Sequence, residues 1–113
     1  MKILKHVPKF HAKIYSLLKK VPKGKVTTYK HLAHAVKSKA YRAVGQAMKY
    51  NPYAPIVPCH RVVASDGSIG GFQGSKNPKG KEIKKKIRML EEEGITLKNG
   101  QIIDFKNILF EFK

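Results

Sequence analysis

The chain has 113 residues, 42% of them hydrophobic, which is enough for one domain with its own core and too few for two ordinary domains. Its 24 Lys and Arg against 7 Asp and Glu give a formal net charge of +17, which favours a polyanionic partner, either nucleic acid or an anionic membrane surface. A very soluble or heat-adapted domain is the alternative that charge alone leaves open.

Cys59 is the only cysteine, so an intramolecular disulfide is impossible and we expect an intracellular protein, cytoplasmic in a prokaryote or nuclear in a eukaryote. No stretch approaches the about 18 to 20 apolar residues of a membrane span, and the N-terminal residues lack the apolar run of a secretory signal. Five histidines with one cysteine do not give zinc-finger spacing, so we expect no metal site. These observations predict a soluble, metal-free protein.

Three helices are predicted in the first half of the chain. Apolar residues recur at helical spacing over 10–21, and the proline and glycine at 22–24 end the pattern. After an extended piece at 25–27, Thr28 is expected to cap a second helix. A third helix is predicted over 40–50, where an Asn-Pro pair ends it.

The short polar turn at 37–39 between the second and third helices is typical of a helix-turn-helix, and the charge favours DNA binding, although many αα-hairpins without a DNA role share this spacing. Glycine costs about 1 kcal/mol inside a helix, so we interpret the one on the outer face of the third helix as a place where another backbone approaches closely. That predicted outer face consists of Tyr41, Arg42, Gly45, Gln46 and Lys49.

The second half combines an apolar stretch, a loop, a helix and a hairpin. The stretch 56–64 fits a short buried helix or strand equally well, and a turn follows at 65–67. The glycine-rich run 67–80 is expected to be a functional irregular loop. A helix is predicted over 81–93 and a hairpin around 98–100, where Asn-Gly is a strong turn signal. The predicted fold is mainly α, a winged helix-turn-helix-like domain with a short C-terminal β-hairpin.

Cys59 has two interpretations, an inert buried thiol or a nucleophile. An unperturbed thiol is only about 3% ionised at pH 7, so a reactive cysteine needs a base or a positive field nearby. His60 and Arg61 follow it directly in sequence, but neighbouring residues meet only if the backbone turns suitably.

The segment around Cys59 and several others resemble the O6-alkylguanine-DNA alkyltransferases, and the resemblance covers most of residues 10–95. The matching motifs are Pro58-Cys59-His60-Arg61-Val62-Val63, Arg42-Ala43-Val44-Gly45, Asn51-Pro52, Val21-Pro22-Lys23-Gly24, Tyr29, Leu32-Ala33, residues 67–74 and Leu90-Glu91-Glu92-Glu93-Gly94. The resemblance implies a DNA repair protein that moves an alkyl group irreversibly from guanine O6 to its own cysteine, once per molecule and without a cofactor. O4-alkylthymine is an additional candidate substrate.

The resemblance also assigns the reacting groups. Cys59 would accept the alkyl group, His60 would deprotonate it through a water, Glu93 would orient that histidine, and Tyr29 would donate a proton to the guanine.

Without the resemblance, Glu93 is better interpreted as a solvated carboxylate at a helix end. Glu91 and Glu92 compete with it for the same role.

Attack on a base inside a duplex requires that the nucleotide be flipped out, which costs a few kcal/mol. By resemblance, Arg42 fills the space left by the base while Ala40, Ala43 and Gly45 press into the minor groove. Tyr41 departs from the small residue often found at its position.

The resemblance implies a base pocket formed by residues around the cysteine segment and in the glycine-rich loop. Asn51 would hold the loop after it, Phe72 would stack on the base, and the Val62 carbonyl and backbone amides near Gln73 would bind its edge. Two further polar residues, Lys30 and Ser65, are candidates for phosphate contacts.

A row of basic residues could extend the phosphate track, although a solvated helix face explains most of them equally well. They are Lys76, Lys79, Lys81, Lys84, Lys85, Lys86 and Arg88.

Family members commonly carry an additional N-terminal domain, whereas about nine residues precede Phe10, so residues 1–113 are expected to be the catalytic and DNA-binding domain alone. The expected partner is double-stranded DNA containing O6-alkylguanine, bound by a monomer. Two alternatives remain. One is a non-catalytic protein that binds alkylated DNA, like relatives that lack the acceptor cysteine, and the other is a helix-turn-helix transcription regulator.

Overall fold

The computed structural model describes residues 7–72, 74–77 and 79–112 and is mainly helical, as predicted. The helices are α1 (Lys9–Leu18), α2 (Tyr29–Ala35), α3 (Tyr41–Lys49), α4 (Lys81–Glu92) and α5 (Phe105–Ile108), with a 3-10 turn at Cys59–Arg61. The strands are β1 (Thr27–Thr28), β2 (Val62–Val63), β3 (Leu97–Lys98) and β4 (Gln101–Ile102). None of the helices in the described ranges is long and apolar enough to cross a membrane.

Helix α1 ends at Leu18, earlier than the predicted end at Val21. The amides of Lys20 and Val21 donate to the carbonyls of Leu17 and Leu18, so the chain leaves the helix through tighter turns of the 3-10 type. Val21 is nevertheless fully buried in the core, which explains why the apolar pattern continued past the helix end.

The predicted helix-turn-helix is confirmed in α2 and α3. Thr28 caps α2, because its Oγ1 accepts a hydrogen bond from the His31 amide at 3.0 Å. In the turn, Lys37 adopts a φ of 56° and the Ser38 amide donates to the Ala33 carbonyl at 2.9 Å. This left-handed turn closes α2 and redirects the chain into α3.

The apolar stretch 56–64 forms both of the elements that periodicity could not distinguish. A 3-10 turn holds Cys59–Arg61, and β2 follows it directly. Strand β2 pairs with β1 in parallel, with Thr27 opposite Val62. Because α2 begins immediately after β1, this pairing brings the cysteine turn next to the start of the helix-turn-helix.

The C-terminal part contains the predicted hairpin and a feature that was not predicted. Strands β3 and β4 pair antiparallel around Asn99 and Gly100, both at positive φ as the Asn-Gly signal requires. The sequence analysis did not predict α5 or the return of the tail to β1. There, the Val26 amide donates to the Ile108 carbonyl and the Phe110 amide donates to the Val26 carbonyl.

The core has two parts. The larger cluster joins buried side chains of α1, α2 and α3 to Val57, Cys59 and Phe72. The smaller cluster packs Val26, just before β1, and Val63 of β2 against Leu90 of α4 and the C-terminal hairpin. The cysteine turn and the glycine-rich loop therefore have the helix-turn-helix on one side and α4 on the other.

Candidate active site and nucleic-acid interface

Cys59 is nearly enclosed, with 6% of its surface exposed. Burial raises the pKa of its thiol, while a hydrogen bond with Asn51 and the charge of Lys86 act in the opposite direction without cancelling that effect. The thiol is therefore protonated at neutral pH and needs a base to become a nucleophile.

His60 is held as a neutral imidazole with one nitrogen free of hydrogen bonds in the described part of the chain, which is what a base requires. Its Nε2 lies 2.9 Å from Glu93 Oε2, and because an ionised carboxylate can only accept, Nε2 carries the proton and donates a hydrogen bond to Glu93. The lone pair is then on Nδ1, a buried atom with no hydrogen-bond partner among the described residues. Burial lowers the pKa of His60 despite the opposing Glu93 charge, so the imidazole is neutral at pH 7.

Glu93 is fixed by Arg61 as well as by His60. Arg61 Nε donates to Glu93 Oε1 at 2.9 Å and Nη2 donates to Oε2 at 2.7 Å, while Nη1 donates to the Val21 carbonyl at 2.8 Å. Burial raises the pKa of Glu93, but the hydrogen bonds from Arg61 and His60 outweigh that effect and the net pKa is lowered. The carboxylate is therefore charged and held by two side chains.

The structure brings Glu93 rather than either neighbouring glutamate to His60. Glu93 is the residue that ends α4, whereas Glu91 and Glu92 are exposed to solvent. Arg61 also differs from expectation: its guanidinium anchors Glu93 instead of supplying a separate positive field to Cys59.

A cleft of about 810 Å³ lies between α3 and the glycine-rich loop. The predicted outer face of α3 forms one wall, and all five of its residues line the cleft: Tyr41, Arg42, Gly45, Gln46 and Lys49. Tyr29 and Phe72 contribute two aromatic rings. The described residues that line the cleft include Arg42, Lys49 and Lys76 but no carboxylate. The cleft is therefore positively charged, which complements a phosphate backbone.

Cys59 does not line this cleft. Tyr29 connects the two places, because it lines the cleft and also interacts electrostatically with the sulfur. Burial, followed by the charge of Cys59, raises the pKa of Tyr29 to about 12. Its hydroxyl donates to the Gly71 carbonyl at 3.3 Å and keeps its proton at neutral pH.

The histidine has its own opening. A smaller cavity of about 360 Å³ is lined by His60, Arg61 and Glu93, together with Lys23 and Glu92. Solvent can therefore approach the histidine and its carboxylate without passing through the larger cleft.

The structure describes Asn51 and Phe72, two of the residues predicted to form a base pocket, but not Gln73. Asn51 Nδ2 donates to the Val57 carbonyl at 2.8 Å and its Oδ1 accepts from the Tyr53 amide at 2.9 Å, so Asn51 holds the loop before the cysteine. Phe72 is buried with its ring at the cleft. Gln73 lies outside the described residues.

The structure contradicts the prediction that Lys86 belongs to an exposed track of phosphate-binding residues. Lys86 has no exposed surface, and its Nζ donates to the carbonyls of Val62, Ile69 and Gly71 at 2.7, 2.6 and 2.9 Å. Nζ also lies 6.0 Å from the centre of the Phe72 ring. Burial lowers the pKa of Lys86 to about 7. Lys86 thus connects the strand after the cysteine to the loop that forms the cleft wall.

The sequence contained a signal for this buried lysine. Lys86 lies three positions after Ile83 and four before Leu90, so it shares the face of α4 that carries these two buried residues. The basic composition of the helix concealed it among exposed lysines.

The residues predicted to contact DNA lie on the outer surface. Arg42, Lys30, Ser65 and Ala40 are exposed, and Ala43 is half-buried. A Cβ built on Gly45 meets no atom within 4 Å among the described residues, so packing inside the chain does not explain this glycine. The open surface is consistent with a partner that approaches the helix closely.

The helix-turn-helix and the cationic cleft beside it are features of a DNA-binding domain. Residues 9–95 match the family model described as "6-O-methylguanine DNA methyltransferase, DNA binding domain". The chain belongs to this family.

Curated relatives include two kinds of protein. A methylated-DNA–protein-cysteine methyltransferase of Thermococcus sibiricus is 48% identical over 87 residues, covering 76% of this chain and 45% of that protein. A bifunctional methyltransferase/endonuclease of Picrophilus torridus is 42% identical over 98 residues, covering 86% of this chain and 30% of that protein. The chain spans between 30% and 53% of the length of the first four such relatives.

Solved structures also include two kinds of protein. The O6-methylguanine-DNA methyltransferase of the archaeon Pyrococcus kodakaraensis is 46% identical with a TM-score of 0.65, covering 78% of this chain and 47% of its own. Schizosaccharomyces pombe Atl1, in complex with damaged DNA containing O6-carboxymethylguanine, is 31% identical with a TM-score of 0.74, covering 94% of this chain and 98% of its own.

Proposed function

We propose that this protein repairs DNA by transferring the alkyl group of O6-alkylguanine irreversibly to Sγ of Cys59. The observation that carries the proposal is the neutral, buried His60, whose Nε2 is bonded to Glu93 and whose Nδ1 remains available as a base beside the chain's single cysteine. An inert structural cysteine would not need a neighbouring imidazole held in one tautomer by a half-buried carboxylate.

Activation of the thiol is the first step. His60 Nδ1 accepts the Cys59 proton through a bridging water, since the two side chains are not directly hydrogen-bonded, and the imidazolium that forms is stabilised by Glu93. The Asn51 side chain, and Lys86 in its protonated form, stabilise the thiolate. Activation at the moment of reaction suits a thiol whose pKa is raised in the DNA-free protein.

Alkyl transfer is the second step. The thiolate attacks the alkyl carbon, an S–C bond forms, and the C–O6 bond breaks with its electron pair left on the guanine. Tyr29 donates its hydroxyl proton to the purine and is reprotonated by the His60 imidazolium, so the protons balance. Cys59 is left as a thioether, which no group in the site can cleave, and each molecule therefore acts once.

Access to the base requires extrusion of the nucleotide from the duplex. We assign Arg42 to the vacated stack, a role supported by its exposure on the cleft wall formed by α3. The volume of the cleft, about 810 Å³, falls within the range of about 300–1,000 Å³ found for ligand pockets. Since Cys59 does not line the cleft, the base must reach past Tyr29 and Phe72 to meet the sulfur.

The experiment that tests this proposal is a titration of duplex DNA containing O6-[³H-methyl]guanine with the protein. Label should move from DNA to protein and reach a plateau at one methyl per molecule, with guanine restored in the DNA. Cys59→Ala should bind the same duplex and accept no label. Turnover beyond one methyl per molecule, or no transfer at all, would reject the proposal.

A second candidate function is binding of alkylated DNA without repair. The observations that favour it are the match to S. pombe Atl1 over 94% of this chain and the nearly enclosed thiol with its raised pKa. The two candidates differ in one result. A non-catalytic protein binds the lesion duplex tightly, leaves the methyl group on the DNA, and binds equally well as Cys59→Ala.

A further inference from the structure

Tyr41 is an exposed aromatic residue at the start of α3. It is 43% exposed, belongs to neither core cluster, and lines the cleft beside Arg42. Exposed aromatic rings cost solvation free energy unless a partner covers them, and here the ring adjoins a surface with the charge of a DNA-binding site. Core packing therefore does not account for Tyr41.

The Tyr41 side chain is held in place by the preceding helix. Its hydroxyl lies 3.1 Å from His34 Nε2, and the two rings are 6.1 Å apart and tilted by 58°. His34 belongs to α2, so the contact joins the two helices of the helix-turn-helix. A ring restrained through its polar end loses little conformational freedom when a partner stacks on it.

The charges around Tyr41 indicate the kind of partner. Arg42, Lys49 and Lys76 line the same cleft, and no carboxylate lies among its described lining residues. A polyanion is the complementary partner, and the planar group that such a partner presents to an aromatic ring is a nucleobase. An acidic peptide would satisfy the cations but would leave the aromatic ring without a stacking partner.

We infer that Tyr41 is a second wedge in the DNA, stacking on a base next to the nucleotide whose place Arg42 takes. The inference rests on the proposed function, because an unstacked base becomes available only if the duplex is opened. Proteins that bend DNA insert apolar side chains between base steps in this way, and ring stacking on a base is insensitive to sequence. Tyr41 would thus stabilise the opened duplex without selecting the neighbouring base.

The test compares variants of Tyr41 in binding to a duplex with O6-methylguanine and an adjacent 2-aminopurine, all in a Cys59→Ala background. Tyr41→Ala should weaken binding about tenfold, in line with the cost of losing one base–aromatic contact, and should reduce the 2-aminopurine fluorescence change. Tyr41→Phe should lose much less binding than Tyr41→Ala, because the ring contacts the base and the hydroxyl contributes only the restraint through His34. The salt dependence of binding should stay the same in both variants.

Tyr50→Ala is the matched control, since Tyr50 is 60% exposed at the end of the same helix but does not line the cleft. It should bind like the parent protein. Tyr41→Ser, which is small, polar and without a ring, replaces Tyr41→Ala if the alanine variant unfolds. Parental binding by Tyr41→Ala or Tyr41→Ser, or equal losses in Tyr41→Ala and Tyr41→Phe, would overturn the inference.

Failure of this inference can be told apart from failure of the proposed function. Methyl transfer by the protein with intact Cys59 is measured in parallel on the same duplex. If transfer is normal and binding does not depend on Tyr41, only the wedge is rejected. If transfer is absent while binding still depends on the Tyr41 ring, the wedge is supported and the chemistry is rejected.

Discussion

His60 Nε2 and Glu93 Oε2 lie 2.9 Å apart although the two residues are 33 positions apart in the chain. The pairing depends on the turn that holds Cys59–Arg61 and on the end of α4 meeting at one place. Arg61 completes the arrangement by binding the same carboxylate with two nitrogens. In the proposed mechanism, Glu93 fixes the tautomer of the base and stabilises its charged form.

Glu93→Gln is expected to slow methyl transfer by about 100-fold, because a neutral amide cannot stabilise the imidazolium that forms on His60. Glu92→Gln is the matched control, since Glu92 is exposed and makes no hydrogen bond to His60. The measurement is the single-turnover rate at a fixed DNA concentration. Equal rates for Glu93→Gln and Glu92→Gln would contradict the assigned role.

The free energy of unfolding is expected to fall in acid because of His60 and Glu93. The folded-state pKa values of His60 and Glu93 are both lowered, so the unfolded chain binds more protons than the folded one below the ordinary values of 6.5 and 4.5. The contribution of each group is therefore present above its ordinary pKa and is lost as the pH falls through its lowered value.

Denaturation by guanidinium between pH 7 and pH 3 tests this prediction. Glu93→Gln should be less stable than the parent by roughly 2 kcal/mol at pH 7, the typical effect of losing hydrogen bonds to a charged group. The difference should shrink as the pH falls from the ordinary pKa of 4.5 towards 3, because protonation removes the charge that distinguishes Glu93 from glutamine. A difference that is constant over this range would show that Glu93 is not held as a carboxylate.

The buried Lys86 predicts how the free energy of unfolding changes above pH 7. Burial lowers its pKa from 10.5 to about 7, so between these values the unfolded chain carries a proton that the folded chain has lost. Stability should rise with pH from 7 to 9.5, by up to about 1.4 kcal/mol per pH unit from this group. Lys86→Met should remove that rise, whereas exposed Lys84→Met should retain it. A rise that is unchanged in Lys86→Met would contradict the assignment.

Arg42→Ala is expected to reduce transfer from duplex DNA at least tenfold, because extrusion of a base costs a few kcal/mol and Arg42 no longer fills the gap. Transfer from free O6-methylguanine base needs no extrusion and should be unchanged. Arg88→Ala removes an exposed arginine from α4 and serves as the charge-matched control. Equal losses on duplex and on free base would place Arg42 in the chemistry rather than in extrusion.

Local signals predicted the elements that depend on local physics. The cap at Thr28 and the Asn99-Gly100 hairpin rest on the chemistry of a few adjacent residues, and both are present. The outer face of α3 followed from helical periodicity and became one wall of the cleft. These features needed no knowledge of what packs against them.

Features that depend on distant parts of the chain were not predicted. The pairing of the C-terminal tail with Val26 joins segments more than eighty positions apart, and no pattern in either segment specifies the other. The burial of Lys86 depends on three carbonyls from β2 and the glycine-rich loop. Lysine is almost never fully buried without such partners, so composition alone indicated the opposite.

The roles of the site residues remain predictions, although the structure brings His60, Glu93 and Arg61 together and places Tyr29, Phe72 and Arg42 at the cleft. The expectation that residues 1–113 act as a domain on their own is also still a prediction.

The most direct test is to mix the protein with excess duplex containing O6-methylguanine and to map the product by peptide mass spectrometry. The account predicts one added methyl group, located on the peptide containing Cys59, and its disappearance in Cys59→Ala. A protein that remains unmodified while it binds the lesion, or a methyl group found on any other residue, would contradict the central claim.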